Sequence, residues 1–218
     1  MNDVLASLML FNDDCLNDGN DKEAVTNAFK ALCECNSIDQ FVDAIKVFTE
    51  DTDVIDVMHY ADPRRKMTKQ DCSNKIKGDL FEVFTSVFFD NFQEGVFGVQ
   101  YAPHDQKGWD FEGTNKIGNK CLIQAKYTYR GEYRGDLKTF FGETAFTEGV
   151  VNTGDGSISG ILITTGQGVS SEYRNYMYDH DSFKIIDRKA LKKCDFPGFW
   201  KTVNTVFREK VFVACDFE

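Results

Sequence analysis

The sequence predicts an α/β protein, a mixed central sheet flanked by helices, with an α-helical N-terminal segment ahead of it. Three observations carry that expectation. Leu80, Phe81, Phe84, Val87 and Phe88 recur at helical spacing, and Thr68-Lys69-Gln70-Asp71 reads as the start of their helix. Residues 108–113 and 120–127 read as strands around Thr114-Asn115-Lys116-Ile117-Gly118-Asn119-Lys120, a stretch rich in residues that punctuate strands. That is a hairpin with a longer loop. Short apolar runs at 159–165 and 183–187 read as further strands, with a helix at about 169–179 between them.

The elements follow in order. Residues 1–60 form an acidic α-helical segment, and 61–218 form the main domain. Within the first, Val25, Ala28, Phe29 and Leu32 mark one amphipathic helix. Ser37-Ile38-Asp39-Gln40 opens a second, whose apolar face carries Phe41, Ile45 and Phe48. A short third helix is expected over 54–60. After the long helix come a strand at 97–101, the hairpin, a helix near 136–149, and the two later strands. A closing helix near 197–208 leads to an apolar segment at 210–214.

Composition narrows the function classes. A 218-residue chain that is 42% hydrophobic can bury a sizeable core, and its 20 phenylalanines suit thick packed layers. No apolar run approaches the ~20 residues of a membrane span and no secretory signal heads the chain, so a cytoplasmic protein with no membrane partner is expected. Seven scattered cysteines without a CxxC pair suit reduced, buried thiols and not a zinc site. The net charge of -10 opposes nucleic-acid binding at first sight. Its distribution removes most of the conflict. Residues 1–60 hold 13 acids and 3 lysines, which leaves 22 acids and 22 bases beyond them. Arg64, Arg65, Lys66, Lys69, Lys75 and Lys77 follow at once, a run that also suits an ordinary solvated face. A second basic run, Lys126, Arg130, Arg134 and Lys138, is interleaved with Tyr127, Tyr129 and Tyr133. Cations with aromatic rings suit contact with a phosphate backbone and stacking on bases.

The hairpin carries the chemistry. If Thr114 pairs with Lys120, antiparallel pairing sets Asp110 across from Gln124, with Cβ atoms about 5 Å apart. Alternation places Gln124 and Lys126 on that same face, and Ile123, Ala125 and Tyr127 on the other. A carboxylate, an amide and an ammonium then converge. A divalent cation wants oxygen ligands, which Asp110, Gln124 and the Ala125 carbonyl can supply, with water completing the shell. Lys126 is within reach to orient a water or stabilise charge on a phosphate. The same spacing also describes a solvated strand face with one acid and one base. Glu82, beside the apolar helix stripe, either points along the sheet edge or is an exposed helix glutamate. Glu112 is a reserve ligand. His104 and Gly166-Gln167-Gly168 are discounted, the latter as a tight turn after a strand.

Phe81-Glu82 on a helix, then Gly108-Trp109-Asp110, then Gln124-Ala125-Lys126, resembles the PD-(D/E)xK nuclease superfamily, in its Mrr-like restriction endonuclease branch where glutamine replaces the usual acid. Asp105-Gln106-Lys107-Gly108, Leu137-Lys138-Thr139-Phe140-Phe141-Gly142, and the runs 160–166 and 183–187 extend the resemblance over about residues 70–195. It implies a restriction-endonuclease-like sheet and Mg²⁺-dependent hydrolysis of DNA, with Mn²⁺ able to substitute. By that resemblance Asp110, Gln124 and Glu82 hold metal, and Glu82, Asp110, Gln124 and Lys126 form the catalytic set. Tyr127, Tyr129, Arg130, Arg134 and Lys138 would contact DNA. It further implies a phage or mobile-element protein acting in a bacterial or virus-infected cell, where a homodimer would bring two sites together for double-strand cutting. A basic protein partner for the acidic segment is one of three roles open to it, beside steering DNA and screening the site. The alternative is an inactive nuclease-fold protein serving as a DNA- or protein-binding, anti-defence factor.

Overall fold

The computed structural model describes residues 19–50, 55, 68–102, 108–135, 158–179 and 182–211. By packing they group into two compact units, one formed within 1–80 together with 194–218, the other within 81–193. The compositional division at residue 60 follows charge, whereas these units follow contacts.

In the first unit, α1 spans Gly19–Leu32 and α2 spans Ile38–Glu50. Ala28, Phe29 and Leu32 are buried on α1, and Ile38, Phe41, Val42, Ile45 and Phe48 on α2, as the spacing predicts. The Ser37 hydroxyl accepts from the Gln40 amide at 3.2 Å, and Gln40 Oε1 accepts from the Asn36 amide at 3.0 Å, a near-reciprocal cap. α3 spans Lys69–Asn91. Its expected start is a cap in which Asp71 Oδ2 accepts from the Thr68 amide and hydroxyl. The division between units falls within α3, after Leu80. Further along the chain, α6 (Pro197–Val206) and a π-helical turn (Phe207–Val211) complete the first unit. Asp195 Oδ1 accepts from the Ile38 amide at 2.7 Å and from Trp200 Nε1 at 3.3 Å, fixing α2 to the start of α6. Of the third expected helix only Ile55 is described, and it is helical. The rest of 54–60, the helix expected at 136–149, and residues 212–214 lie outside the described residues.

The second unit is an α/β sheet. Strands β1 (Val96–Tyr101), β2 (Phe111–Asn115), β3 (Lys120–Lys126), β5 (Gly160–Thr164) and β7 (Phe183–Ile186) line up in that order. β1, β2 and β3 pair antiparallel, whereas β3, β5 and β7 pair parallel. Each side of β5 is covered by a strand and every one of its residues is buried, which is why Gly160-Ile161-Leu162-Ile163-Thr164 reads as an unbroken apolar run. Two short strands that sequence did not predict, β4 (Glu132–Tyr133) and β6 (Gly168–Val169), form a separate parallel ribbon. α4 (Ser171–Asp179) and the short α5 (Arg188–Leu191) pack beside β7.

Side-chain alternation sorts the core. Trp109, Leu122, Leu162, Val169, Tyr173 and Phe183 form one cluster. Phe111, Ile123, Ile161 and Ile163 are fully buried on the opposite face of the sheet. The thiols of Cys35 and Cys121 are buried, and burial pushes both up to about 12, so they are protonated and inert at neutral pH. Among the described residues no helix is long and apolar enough to cross a membrane.

Candidate functional site

The hairpin turn decides where the site forms. Thr114 pairs with Lys120 and Phe111 with Ile123, where the ladder ends, so Asp110 lies in a bend just beyond it, beside the Ile123–Ala125 stretch of β3. The strand itself is shifted from its expected span, starting at Phe111 and continuing to Asn115. The reason is local. Asn115 is buried, and its Oδ1 accepts from the amides of Ile117 and Asn119 at 3.2 and 2.9 Å. With Gly118 at φ 85, this closes the turn inside 116–119 and leaves Thr114 and Asn115 in the strand. At the other end, Gly108 at φ 100 turns the chain, Trp109 drops into the core cluster, and Asp110 occupies a bend. Burial of the indole is thus what anchors the carboxylate beside it.

Asp110 is tied to β3 twice. Its amide donates to the Ile123 carbonyl at 2.9 Å, and its Oδ2 accepts from the Ala125 amide at 2.7 Å. Ala125 lies where the β2 ladder has ended, so the carboxylate takes the place of a missing backbone acceptor. The carbonyl and N–H of a strand residue point the same way. The Ala125 carbonyl is therefore directed toward the Asp110 side as well. Lys126 Nζ lies 3.9 Å from Asp110 Oδ2, an ion pair too long for a hydrogen bond. The Lys126 carbonyl accepts from Thr164 Oγ1 at 2.8 Å and from the Thr165 amide at 3.3 Å, so its backbone is held by β5.

One face of β3 passes from core to solvent across this site. Leu122 belongs to the core cluster, Gln124 is 8% exposed, and the Lys126 side chain is 35% exposed. The Asp110 carboxylate and the Lys126 ammonium therefore meet at the rim of the apolar cluster, with Gln124 buried on the same strand between Leu122 and Lys126. Glu112, on the neighbouring strand, pairs with Lys120 at 2.8 Å. Glu82 is half-buried and lies on α3. Among the described residues no three His, Cys, Asp or Glu side chains gather into a metal-binding group. The oxygen donors that Asp110 and the neighbouring stretch of β3 could offer are the Asp110 carboxylate, the Gln124 amide oxygen and the Ala125 carbonyl. Hard oxygen donors that leave most positions to water suit Mg²⁺, which dehydrates reluctantly. Donors of this type could hold that ion.

The expected nucleic-acid contacts divide. Tyr127 and Tyr129 are half-buried just after β3, Arg130 is exposed with its guanidinium 5.0 Å from the Tyr129 ring centre, and Arg134 is exposed. Lys138 lies outside the described residues. Tyr133 serves the fold, its ring packed 5.5 Å from that of Tyr173. Beside it, Glu132 accepts from Arg174 at 2.8 Å, and that guanidinium holds its carboxyl below the ordinary value. Sequence reasoning missed Arg188. Its guanidinium donates to the carbonyls of Thr165, Thr128 and Tyr129, next to the tyrosine-bearing stretch. Only its place after an apolar strand hinted at such a role.

Compared with protein-family models, with curated proteins and with solved structures, the chain matches none.

Proposed function

We propose that the protein is a Mg²⁺-dependent DNA endonuclease with a restriction-endonuclease-like core, in which Mn²⁺ substitutes for Mg²⁺. One observation supports this above the rest. Asp110 is bonded to the strand that carries Gln124 and Lys126, with the lysine 3.9 Å from its carboxylate. An ordinary solvated strand face has no need to hold its acid on a backbone amide, whereas a site that must present a carboxylate in one orientation does.

In this reading Asp110, Gln124 and the Ala125 carbonyl hold the metal, with Glu82 assisting through a bridging water. The bound ion would lower the pKa of a water and polarise the phosphodiester. Lys126 orients the water and donates to a non-bridging phosphate oxygen. As the water oxygen bonds to phosphorus it gives up a proton to solvent, the P–O bond to the leaving sugar oxygen breaks and that oxygen takes a proton from solvent, and charge on the phosphate is met by the lysine. Tyr127, Tyr129, Arg130, Arg134 and Lys138 contact DNA. The function belongs in the cytoplasm of a bacterium or an infected cell, on a phage or mobile element.

Incubating the protein with supercoiled plasmid and Mg²⁺ or Mn²⁺ tests the proposal. Asp110→Asn and Lys126→Ala should each lower cleavage by about two to three orders of magnitude while leaving DNA binding in place. Wild-type cutting by both variants would remove the site from the chemistry. A second reading, a non-cleaving DNA- or protein-binding factor, is favoured by the amide at Gln124, which brings less charge to a cation than a carboxylate does. It predicts DNA binding with no metal-dependent cleavage by the wild-type chain.

A further inference from the structure

β3 and β5 end side by side, and the backbone that follows each needs acceptors and donors from elsewhere. Arg188, the first residue of α5, spans both ends. Its Nε donates to the Thr165 carbonyl at 2.6 Å, and its Nη2 donates to the Thr128 and Tyr129 carbonyls at 3.1 and 2.6 Å. Its own amide donates to the Gly166 carbonyl at 2.9 Å. Thr165 adds to the clasp, its hydroxyl donating to the Thr128 carbonyl at 3.0 Å and accepting from the Thr128 amide at 2.7 Å. The Gln167 amide donates to the Gly131 carbonyl at 2.8 Å.

A guanidinium is a rigid, permanently charged fork, able to serve several carbonyls in one plane. Carbonyls gathered around one cation are held more firmly than water would hold them. The segment so fixed, 128–131, follows Lys126 directly and carries Tyr129 and Arg130, whose ring and guanidinium already lie against one another. We infer that Arg188 is a positioning residue: its guanidinium orders residues 128–131 so that Tyr129 and Arg130 form a preformed platform for a nucleic-acid strand beside Lys126. This rests on the nuclease reading of the site. A platform ordered in advance does not lose loop freedom on binding, and that is where its affinity gain arises.

The test uses the full chain with Arg188→Ala, Arg188→Lys and, as reference, Arg130→Ala, all checked for wild-type circular dichroism. Amide hydrogen exchange is followed at Thr128, Gln167 and, within β3, Ile123. Affinity for a short DNA oligonucleotide is followed by fluorescence anisotropy. Arg188→Ala should speed exchange at Thr128 and Gln167 while sparing Ile123, and should weaken DNA binding about tenfold, comparably to Arg130→Ala. Arg188→Lys should behave like the alanine variant, since one ammonium cannot span both loops. Unchanged exchange at Thr128, or full rescue by lysine, overturns the proposal. So does wild-type affinity in Arg188→Ala when Arg130→Ala has lost it. If neither variant loses affinity, the DNA reading of the surface fails, and the platform role with it.

Discussion

Asn115 shows how much of the site depends on one side chain away from it. Its amide oxygen takes two turn amides and its Nδ2 donates to the Ile158 carbonyl at 3.1 Å, all from a buried position. Removing these three part-buried bonds should make Asn115→Ala cost about 1–3 kcal/mol in a denaturant titration. A loss near zero would show that the register is held by the strands alone. Gln124 poses a different question. Replacing it with Glu keeps side-chain length and adds a carboxylate, so Mg²⁺ affinity measured by calorimetry should rise or hold level. A collapse of metal binding would assign Gln124 to contact with DNA or to packing in the cluster rim. Legibility at this scale was partial. Asp110, Gln124 and Lys126 stand out because rare polar residues interrupt apolar strands. Asn115 and Arg188 act through backbone groups distant in sequence or hidden in a turn, and composition gives them no distinguishing mark.

At the scale of elements, the main strands and helices were readable because each carries several apolar residues, at helical spacing or in one run, between turn-forming residues. The β4–β6 ribbon was not, since Glu132–Tyr133 and Gly168–Val169 are two residues each and carry no period. Close approach of backbones is also invisible in sequence. A methyl group on Gly113 would stand 2.7 Å from Val96 Cγ1 and 3.0 Å from the Phe97 carbonyl. β1 and β2 therefore approach there in a way only glycine permits, next to the register shift between Phe97 and Gln100. Gly113→Ala should force the strands apart and destabilise the protein by about 1–3 kcal/mol, seen as a lower Tm. Because β2 also leads out of Asp110, cleavage should fall with it even below the melting transition. Normal stability in this variant would mean that β1 shifts without cost.

For the whole molecule the open question is charge. The net of -10 lies wholly within residues 1–60, and the remainder is neutral, with the basic, tyrosine-bearing run from Lys126 to Lys138 following Gln124. If the acidic segment screens that surface, changing Asp13, Asp14, Asp18 and Asp21 to Asn should tighten nonspecific DNA binding at low salt. The gain should shrink as ionic strength rises and the Debye length falls. Affinity unchanged across the salt titration would reject screening and favour a basic protein partner for this segment. The substitution touches charge alone, whereas deleting the segment would also remove Phe29, Phe41, Ile45 and Phe48, which are buried.

Sequence by itself determined the α/β class, the order of the main strands and helices, the caps at Ser37 and Thr68, and the face on which Gln124 and Lys126 lie. These follow from periodicity and from hydrogen bonds made within a few residues, so the information is local. Tertiary structure decided which strands pair in parallel, how Trp109 and Arg188 hold the site, and that Glu112 pairs with Lys120. It also decided that α3 is shared between two packing units. Each of these depends on groups brought together from far along the chain, and the free energy that selects them comes from burial and from satisfying backbone groups at strand ends.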